Sequence, residues 1–405
     1  WPLHTSSLSG LIYLQELDLS FNELYGVLSP GWSTMTSMRY FDVSDNSINS
    51  TLPSSWSTWT NIQYFDVSSN QLTWSLPSSW STWQSPFMRN GIQTIRLFYN
   101  NFTGTIPSSW STFTNLMIFD ADHAGLGGTL PWSLSTWASL RSFDISYNNF
   151  SWPLPSSWSG MISMDNFFFQ FNQIDGTLPS SYSAWTDITR FNGGNNNITG
   201  SLPDAWSTWT DITHFTMPNN LLIWSLPALR SAWSNIQMFI VSNNSIWWSM
   251  EPSWSSWSNM YRFQIDDNTI DGVIPDTYTG WDSVIVFDIS NNAITWSLPD
   301  SFSYRWDTIQ YFKADHNTIH GILPDAWSGW TEVNAFLVNN NTIEWVLPES
   351  WTGWSSIANF WAHVNNLTWT LPEAWNILTT MNTFNVSDNQ ISWSLPSSWS
   401  AWSNL

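Results

Sequence analysis

Residues 62–69 show the pattern of apolar and polar side chains on which the chain is built. Ile62, Phe65 and Val67 are apolar and are separated by polar or amphipathic residues, as expected for a strand with one buried face. The side chains expected to face outward are Gln63, Tyr64, Asp66, Ser68 and Ser69. The segment therefore predicts a short β-strand whose inner face belongs to a hydrophobic core.

The same strand pattern occurs sixteen times along the 405 residues. Each copy ends at an equivalent place, here called the repeat position, which is Ala124 in one copy and Asn in all others. The repeat asparagines are Asn22, Asn46, Asn70, Asn100, Asn148, Asn172, Asn196, Asn220, Asn244, Asn268, Asn292, Asn317, Asn341, Asn365 and Asn389. Neighbouring repeat positions are 24 residues apart, except for 30 between Asn70 and Asn100 and 25 between Asn292 and Asn317. A fixed period of this length predicts a solenoid in which each repeat is one coil.

The rest of a coil predicts a turn, a short extended segment and a return. We expect the repeat asparagines to bond the backbone of adjacent coils as a buried ladder, because an amide side chain both donates and accepts. Leu72 and Leu76 should point into the core, and Pro77 should end the extended segment because it cannot donate to a ladder. The Ser-Ser-Trp-Ser-Thr-Trp return is too short for a stable α-helix and predicts a 3₁₀-like turn.

Tryptophan recurs at two places in the return segments of this tryptophan-rich chain. The first column holds Trp32, Trp56, Trp80, Trp110, Trp158, Trp206, Trp254, Trp327, Trp351, Trp375 and Trp399. The second includes Trp59, Trp83, Trp137, Trp185, Trp209, Trp233, Trp257, Trp281, Trp306, Trp330, Trp354 and Trp402. We interpret both columns as an aromatic spine of the core. The alternative is that W-x-x-W pairs such as Trp56 and Trp59 carry mannose on the indole carbon.

A third column, four residues after the repeat position, contains either Gly or Trp in every coil except the one with Ser50. Its tryptophans, here called the Trp flank and predicted to mediate assembly, are Trp74, Trp152, Trp224, Trp248, Trp296, Trp345, Trp369 and Trp393. Glycine suits a backbone with positive φ, and the largest side chain cannot replace it without consequence. We expect an ordinary backbone with exposed indoles that need a partner. The alternatives are partly buried, packed indoles, or Gly as the encoded residue.

The composition of the chain excludes several classes of partner and site. The net charge of −21, with Lys313 as the only lysine, argues against nucleic acid as a partner, because binding phosphates requires many basic side chains. The chain has no cysteine, which excludes disulfides and thiolate metal sites, and nothing predicts a cofactor. No apolar run approaches the ~20 residues that cross a bilayer, so no transmembrane segment is predicted.

Asn-x-Ser/Thr sequons indicate a glycosylated chain at an extracellular or cell-surface location. They are Asn49, Asn101, Asn149, Asn197, Asn243, Asn340, Asn366 and Asn385. Several follow the repeat position directly, where the chain leaves the strand and should be exposed. The alternative is that a chain rich in Asn and Ser contains sequons by chance.

Two groups of outward side chains are candidate sites on the concave sheet. Aromatic residues from neighbouring coils form a candidate binding patch for a protein or a sugar, consisting of Phe98, Tyr99, Tyr147, Phe168 and Phe171. Acidic residues on adjacent strands form a candidate site for a hard cation, consisting of Asp120, Asp122, His123 and Asp144. The alternative for the second group is a solvated acidic face. No nucleophile elbow, phosphate loop or zinc-binding helix is present in the sequence, so no catalytic residues are predicted.

We expect a single solenoid domain over residues 1–405, with an insertion near residues 84–90. Neither end shows a polar capping repeat, and the chain begins at Trp1 without a methionine. These features predict a fragment of a longer chain, or a subunit that associates through its ends and the Trp flank.

The repeat LPSSWSTWTNIQYFDVSSNQLTWSLPSSW resembles the plant-type leucine-rich repeat, L-x-x-L-x-L-x-x-N-x-L-x-G-x-I/L-P. Its Leu-Pro-x-x-Trp-Ser step at residues 76–81 also resembles surface-antigen and proteophosphoglycan repeats of Leishmania-like protozoa. The resemblance covers the whole chain and implies an α/β-type, mostly β, repeat solenoid of about 16 repeats of 24 residues. It implies a right-handed coil with a parallel concave sheet and short 3₁₀ or irregular convex segments. The chain departs from the plant pattern by Trp for Gly in half of the repeats and by Phe for Leu in most strands.

Two classes of function follow from these observations. The first is a non-catalytic, extracellular structural or adhesive glycoprotein that builds a filament or cell-surface coat, with a protein, a glycan or itself as partner. The alternative is a recognition ectodomain whose concave face binds a protein, peptide or polysaccharide. An enzyme is the least favoured class, because the resemblance offers no catalytic residues.

Overall fold

The computed structural model describes residues 8–84, 91–223, 232–392 and 394–402, and it confirms the solenoid of stacked coils. The chain divides into two compact units, Trp1–Ile212 and Thr213–Leu405, which are described separately below. The single domain predicted from the repeat stays a prediction. Residues 85–90 of the predicted insertion lie outside the described residues.

Each coil contributes one three-residue strand to a parallel sheet. In the first unit these strands are Glu16–Asp18, Tyr40–Asp42, Tyr64–Asp66, Thr94–Arg96, Ile118–Asp120, Ser142–Asp144, Asn166–Phe168 and Arg190–Asn192. In the second unit they are His214–Thr216, Met238–Ile240, Arg262–Gln264, Val286–Asp288, Tyr311–Lys313, Ala335–Leu337, Asn359–Trp361 and Thr383–Asn385. The register advances by one repeat per strand, so Phe41 pairs with Phe65, and their rings stack with centroids 5.5 Å apart.

The residues predicted to face inward form the core. Ile62, Phe65, Val67 and Leu72 are fully buried, and Leu76 is nearly so. The alternation read from the sequence therefore places the apolar side chains correctly.

Asp66 and Ser68 lie on the face of the strand opposite the core residues Phe65 and Val67, as the alternation predicts, but both side chains are buried rather than exposed. The Asp66 carboxylate accepts hydrogen bonds from the Ser68 N–H and the Ser68 hydroxyl, which draws both side chains against their own backbone. The Tyr64 hydroxyl donates to the Asp66 carboxylate at 3.0 Å, and the guanidinium of Arg96 in the next coil lies 3.7 Å from it. Burial raises the pKa of Asp66 above its ordinary value.

A second set of short strands follows the repeat position and is here called the flank strands. In the first unit they are Tyr25–Gly26, Ser47–Ile48, Thr73–Trp74, Asn101–Phe102, Gly127–Thr129, Asn149–Ser151 and Thr199–Gly200. In the second unit they are Leu221–Leu222, Thr295–Trp296, Thr318–Gly321, Thr342–Trp345, Asn366–Trp369 and Gln390–Ile391. They also pair in parallel, as in the pairing of Trp345 with Leu367.

The return segments form 3₁₀ helices, as predicted. In the first unit these are Pro30–Thr34, Ser54–Thr58, Ser78–Trp83, Ser108–Thr112, Trp132–Thr136, Ser156–Gly160, Ser180–Ala184 and Asp204–Thr208. In the second unit they are Pro252–Ser256, Asp276–Gly280, Asp300–Tyr304, Asp325–Gly329, Trp351–Gly353, Glu373–Ile377 and Ser397–Ala401. Within the described part of the chain, no helix has the length and apolar character that crossing a membrane requires.

The tryptophans of the return segments form the predicted aromatic spine, and many of them add a directed hydrogen bond, whereas no described residue is a partner for the buried indole N–H groups of Trp32, Trp254, Trp257 and Trp330. Trp56 and Trp59 are fully buried and stack with ring centroids 4.2 Å apart. Their indole N–H groups donate to the carbonyls of Ser29 and Trp32 in the preceding coil, both at 3.0 Å. Equivalent bonds recur along both units. A leucine side chain cannot donate a hydrogen bond, so these indoles connect neighbouring coils in a way that leucine could not. Because the indoles of Trp56 and Trp59 are fully buried, the folded chain has no space for mannose on them.

The repeat asparagines form the predicted ladder. The Asn70 amide donates to the Val43 carbonyl of the preceding coil at 2.9 Å, and its oxygen accepts from the Ile48 N–H at 2.9 Å. At Ala124, which lacks the amide, the N–H of Phe102 bonds directly to the Ala124 carbonyl at 2.8 Å. The coil without Asn therefore keeps this backbone donor satisfied.

Candidate binding sites

The residue just before the repeat position turns its side chain to the surface at the end of each sheet strand. The chain bends sharply there, and the backbone is left-handed, with φ of +49° at Tyr99. In four consecutive coils of the first unit this residue carries an aromatic ring. These rings, here called the aromatic ladder, belong to Tyr99, His123, Tyr147 and Phe171.

The aromatic ladder is a continuous stack on the surface. The ring of His123 lies 4.9 Å from that of Tyr99 and 4.1 Å from that of Tyr147, centroid to centroid. The rings of Tyr147 and Phe171 follow at 4.3 Å, and their planes are inclined by only 17°. Tyr99, Tyr147 and Phe171 remain 54%, 40% and 43% exposed. The stack therefore offers a long aromatic edge against which apolar groups of a partner can pack.

The ladder rings occupy a backbone conformation that other residues adopt more easily. Other coils place Asn219 or Asn243 at this position, and Asn tolerates positive φ better than most residues. A left-handed conformation costs an ordinary L-residue about 1–2 kcal/mol. A stacked aromatic pair contributes about 0.5–1.5 kcal/mol, so stacking between neighbours offsets much of this cost.

Carboxylates lie beside the aromatic ladder. The Nδ1 atom of His123 is 2.9 Å from a carboxylate oxygen of Asp122, and the Ser146 hydroxyl lies within hydrogen-bond distance of both Asp122 and Asp144, sharing its one proton between them. Burial, together with the neighbouring charge of Asp144, raises the pKa of Asp120 to about 7. Burial also raises the pKa of Asp144. A cationic group of a partner would stabilise the ionised carboxylates here.

Three of the five predicted patch residues belong to the aromatic ladder, and two do not. Phe98 is half-buried and meets Tyr99 edge-on, with ring centroids 5.9 Å apart. Phe168 lies within a sheet strand, paired with Asp144, and is outside the ladder. The sequence analysis assigned His123 to the cation group and missed its place in the ladder. Its offset from the repeat position equals that of Tyr99, and this was the available signal.

The predicted cation group does not assemble as a metal site. Among the described residues, no three or more His, Asp or Glu side chains are arranged to hold a metal ion. Asp122 is instead engaged by His123 and Ser146, and Asp144 by Ser146. These side chains form the acidic surroundings of the aromatic ladder.

The Trp flank has a left-handed backbone, and the expectation of an ordinary backbone there is wrong. The left-handed members are Trp74, Trp152, Trp296, Trp345 and Trp369, with φ between +68° and +84° and exposed fractions of 59–69%. Gly104 and Gly272, at the same position in other coils, have φ of +76° and +80°. Tryptophan and glycine thus share this conformation in these coils, and each of the five tryptophans adopts it at a cost of about 1–2 kcal/mol.

Three predicted members of the Trp flank differ from the rest. Trp248 is buried against Trp254, with ring centroids 4.5 Å apart, while its neighbour Trp247 is 61% exposed. Either ring of the adjacent pair can turn inward, and the sequence does not decide which. Trp224 and Trp393 lie outside the described residues.

Two members of the Trp flank on adjacent coils share a groove of about 460 Å³. The lining residues are Glu344, Trp345, Asn366, Thr368, Trp369 and Gln390. Two exposed indoles are thus combined with carboxylate, amide and hydroxyl groups. This combination suits a ligand that has both apolar faces and hydrogen-bonding groups.

The sequon asparagines are not buried. The exposed ones are Asn49, Asn101, Asn149, Asn197 and Asn243, and the half-buried ones are Asn340, Asn366 and Asn385. Asn366 is also the sequon asparagine that lines the groove between Trp345 and Trp369. Glycosylation at these positions stays a prediction.

Comparison with known proteins identifies the repeat and the fold. The Leucine Rich Repeat family model matches residues 13–35, 61–83 and 139–161, and no curated protein sequence matches the chain. The fold is similar to the ectodomain of the Arabidopsis thaliana receptor kinase GASSHO1/SCHENGEN3, solved in complex with CASPARIAN STRIP INTEGRITY FACTOR 2. That similarity has a TM-score of 0.86 at 20% identity over 100% of this chain and 50% of the receptor, so the chain spans half the length of that ectodomain.

Two further plant receptors have similar folds. The plant peptide hormone receptor RGFR1, solved in complex with RGF2, has a TM-score of 0.79 at 19% identity over 100% of this chain and 75% of its own. The Arabidopsis receptor kinase HAESA, solved with the peptide hormone IDA and the co-receptor SERK1, has a TM-score of 0.73 at 18% identity over the same shares. These identities establish similarity of fold alone.

The matched segments contain Asn22, Asn70 and Asn148, which are members of the asparagine ladder. The resemblance to protozoan surface antigens stays a prediction. The repeats and the fold together identify the chain as a leucine-rich-repeat solenoid.

Proposed function

We propose that this protein is a non-catalytic, extracellular recognition domain that binds an extended peptide or a segment of a protein along the aromatic ladder. The observation that carries the proposal is the unbroken surface stack from Tyr99 to Phe171. Such a stack is a rigid apolar surface that a partner can cover without ordering many flexible side chains, which lowers the cost of binding.

The plant receptors with similar folds support a peptide as the partner. RGFR1 is a peptide hormone receptor solved with RGF2, and HAESA was solved with the peptide hormone IDA. A solenoid sheet presents equivalent positions of successive coils in a row, so an extended peptide that runs along the row can contact several coils.

The surroundings of the ladder indicate the chemistry of the peptide. Asp120, Asp122 and Asp144 outnumber their basic neighbour Arg96, which lies on the strand beside Asp120, and the whole chain carries a net charge of −21. We therefore infer a peptide with apolar or aromatic side chains and at least one Arg or Lys. Its cationic group would favour the ionised form of Asp120, so binding should strengthen as the pH rises through about 7.

A peptide-display library tests the proposal. Peptides selected on the full chain would be synthesised, and their affinity measured by calorimetry for the wild type and for the Phe171→Asn variant. Asn occupies the equivalent position in other coils, so this substitution suits the left-handed backbone. Phe21→Asn is the matched control, because Phe21 has the same offset and φ of +53° but lies outside the aromatic ladder.

The proposal predicts that Phe171→Asn weakens binding about tenfold, since an aromatic contact at an interface contributes roughly 1–2 kcal/mol. Phe21→Asn should leave the affinity unchanged. Selected peptides that bind both variants as tightly as the wild type would contradict the proposal.

A second candidate is a structural or adhesive protein that forms a filament or coat, and the exposed indoles of the Trp flank favour it. The two functions differ in size distribution at low concentration. A filament former should appear as large particles in size-exclusion chromatography, whereas a recognition domain should elute as a monomer.

A further inference from the structure

We propose that the groove between Trp345 and Trp369 holds the first sugars of a glycan attached to Asn366. The inference rests on the extracellular location in the proposed function, but not on the ligand of the aromatic ladder. It assigns a role to exposed indoles in the second unit that peptide recognition does not use.

The flank strands bring the sequon and both indoles together. Glu344 pairs with Asn366, so the strand that ends in Trp345 lies directly against the sequon. Asn366 and Thr368, the two defining residues of the sequon, line the same groove as Trp345 and Trp369. A sugar joined to the Asn366 amide nitrogen therefore starts inside the groove, next to one indole from the preceding coil and one from its own.

The chemistry of the groove fits a sugar. Trp345 and Trp369 are 61% and 64% exposed, and their ring faces can pack against the C–H groups of a pyranose ring. Glu344 and Gln390 supply groups that bond hydroxyl and acetamide groups. The cavity of about 460 Å³ lies within the range of about 300–1,000 Å³ that is usual for small-ligand sites.

The chain contains a sequon in the same register without indoles. Asn197 also follows the repeat position directly, but Gly200 stands in place of Trp369 and Gly176 stands in place of Trp345. Asn197 is exposed, whereas Asn366 is half-buried. The asparagine that has two neighbouring indoles is therefore the more buried of the two.

Two other sequons are intermediate, with one indole each. Beside Asn101, the neighbouring flank strand ends in Trp74, which pairs with Phe102. Beside Asn149, the indole comes from Trp152 in the same coil. The four sequons thus form a series with zero, one, one and two indoles, against which glycan shielding can be compared.

The alternative occupant is a second copy of the chain. Contact between copies would desolvate the carboxylate of Glu344 and the amide of Asn366 in the middle of the interface, at a cost unless both were paired. A glycan meets the same groups with hydroxyls. We therefore favour the glycan.

Enzymatic glycan release from the folded protein tests the inference. The full chain would be secreted from a glycosylating eukaryotic cell line and treated with peptide-N-glycosidase without denaturation. Glycopeptide mass spectrometry would then follow release at Asn366 and Asn197 over time. The expected result is that release at Asn366 is about tenfold slower than at Asn197, because two indole contacts hold the sugar.

The variant Trp345→Gly/Trp369→Gly identifies the cause of any slow release. Gly321 and Gly272 occupy the same position in other coils with φ of +83° and +80°, so Gly fits this backbone. In the variant, release at Asn366 should approach the rate at Asn197. Trp132→Gly, which removes an indole that is 73% exposed and far along the chain, should leave the ratio of rates unchanged.

Several outcomes would overturn the inference. These are an unoccupied Asn366 in protein whose Asn197 is occupied, equal release rates in the wild type, or slow release that persists in the double variant. Concentration-dependent association of the glycosylated protein, abolished by the double variant, would assign the groove to a second copy instead. Peptide binding by the aromatic ladder, measured on Asn366→Gln, should be unaffected, which separates this inference from the proposed function.

Discussion

At the scale of the residue, the exposed aromatic positions of this chain share a left-handed backbone. Tyr147 of the aromatic ladder has φ of +51°, and Trp74 of the Trp flank has φ of +72°. Both positions are turns that recur along the chain, although Ser50 and Trp248 show that the flank position does not require a positive φ in every coil. Ladder rings recover part of the cost through stacking, whereas Trp74 is 69% exposed.

Replacing an exposed flank tryptophan with glycine should stabilise the protein. In unglycosylated protein, we expect Trp74→Gly to raise the free energy of unfolding by about 1 kcal/mol, because Gly removes the left-handed strain. Trp247→Gly is the control, since Trp247 is also exposed but its φ is not positive. It should lower the free energy of unfolding by about 0.5–1 kcal/mol. Urea unfolding midpoints measure both effects, and a destabilising Trp74→Gly would contradict the strain argument.

Asp120 should make stability depend on pH. Its pKa rises from 3.8 in the unfolded chain to about 7 in the fold, mainly through burial. The folded state therefore holds a proton that the unfolded chain has lost between these values. This contribution is complete below pH 3.8 and is lost as the pH rises through about 7.

The variant Asp120→Asn should consequently gain stability relative to the wild type on going from pH 5 to pH 8. Melting temperatures of the two proteins across this range give the comparison. The exposed Asp187→Asn removes a carboxylate without burial and should show a constant offset. Parallel curves for Asp120→Asn and the wild type would show that Asp120 is not perturbed.

At the scale of the element, side-chain bonds to the preceding coil align the stack. The amide of Asn70 reaches the Val43 carbonyl, and the indole of Trp80 reaches the Pro53 carbonyl at 3.1 Å. This coil is thus held to the preceding one at two places by directed bonds rather than by apolar contact alone. Such bonds specify one register, because a slipped coil would leave buried carbonyls without donors.

Two substitutions of Trp80 should separate the hydrogen bond from the volume of the ring. Tyr182 occupies the same column, and its hydroxyl reaches the Pro155 carbonyl at 3.1 Å. Trp80→Tyr can therefore keep a donor to Pro53, whereas Trp80→Phe cannot. We expect the Phe variant to be less stable than the Tyr variant by about 1–3 kcal/mol in chemical unfolding. Equal stabilities would mean that the indole bond contributes little.

The elements of one coil could be predicted from the sequence because each has its own periodic signal. The strand around Phe65, the turn at Asn70 and the return at Trp80 each repeat with the coil. The burial of Asp66 could not be predicted, since it depends on contacts with the side chains of Tyr64 and of Arg96 in the next coil. The left-handed backbone at Trp74 was indicated by Gly in other coils, but the preference of Trp for ordinary φ pointed the other way.

At the scale of the whole molecule, sequence and structure agree on the solenoid fold, and the binding partner is inferred from the aromatic ladder. The sequence predicted an aromatic patch, and the structure brings Tyr99, Tyr147 and Phe171 into one stack with His123. Phe168 lies within a sheet strand and is not part of this stack, and its role in binding stays a prediction. The proposed recognition uses the aromatic ladder of the first unit, and the proposed glycan shielding uses Trp345 and Trp369 of the second.

Hydroxyl-radical footprinting with a selected, synthesised peptide tests the central proposal most directly, because it reports the exposure of individual aromatic side chains. The account predicts that bound peptide lowers the oxidation of Tyr99, Tyr147 and Phe171 together, while Trp74 and Trp296 remain as reactive as in the free protein. Unchanged oxidation along the aromatic ladder with protection of the Trp flank would contradict it.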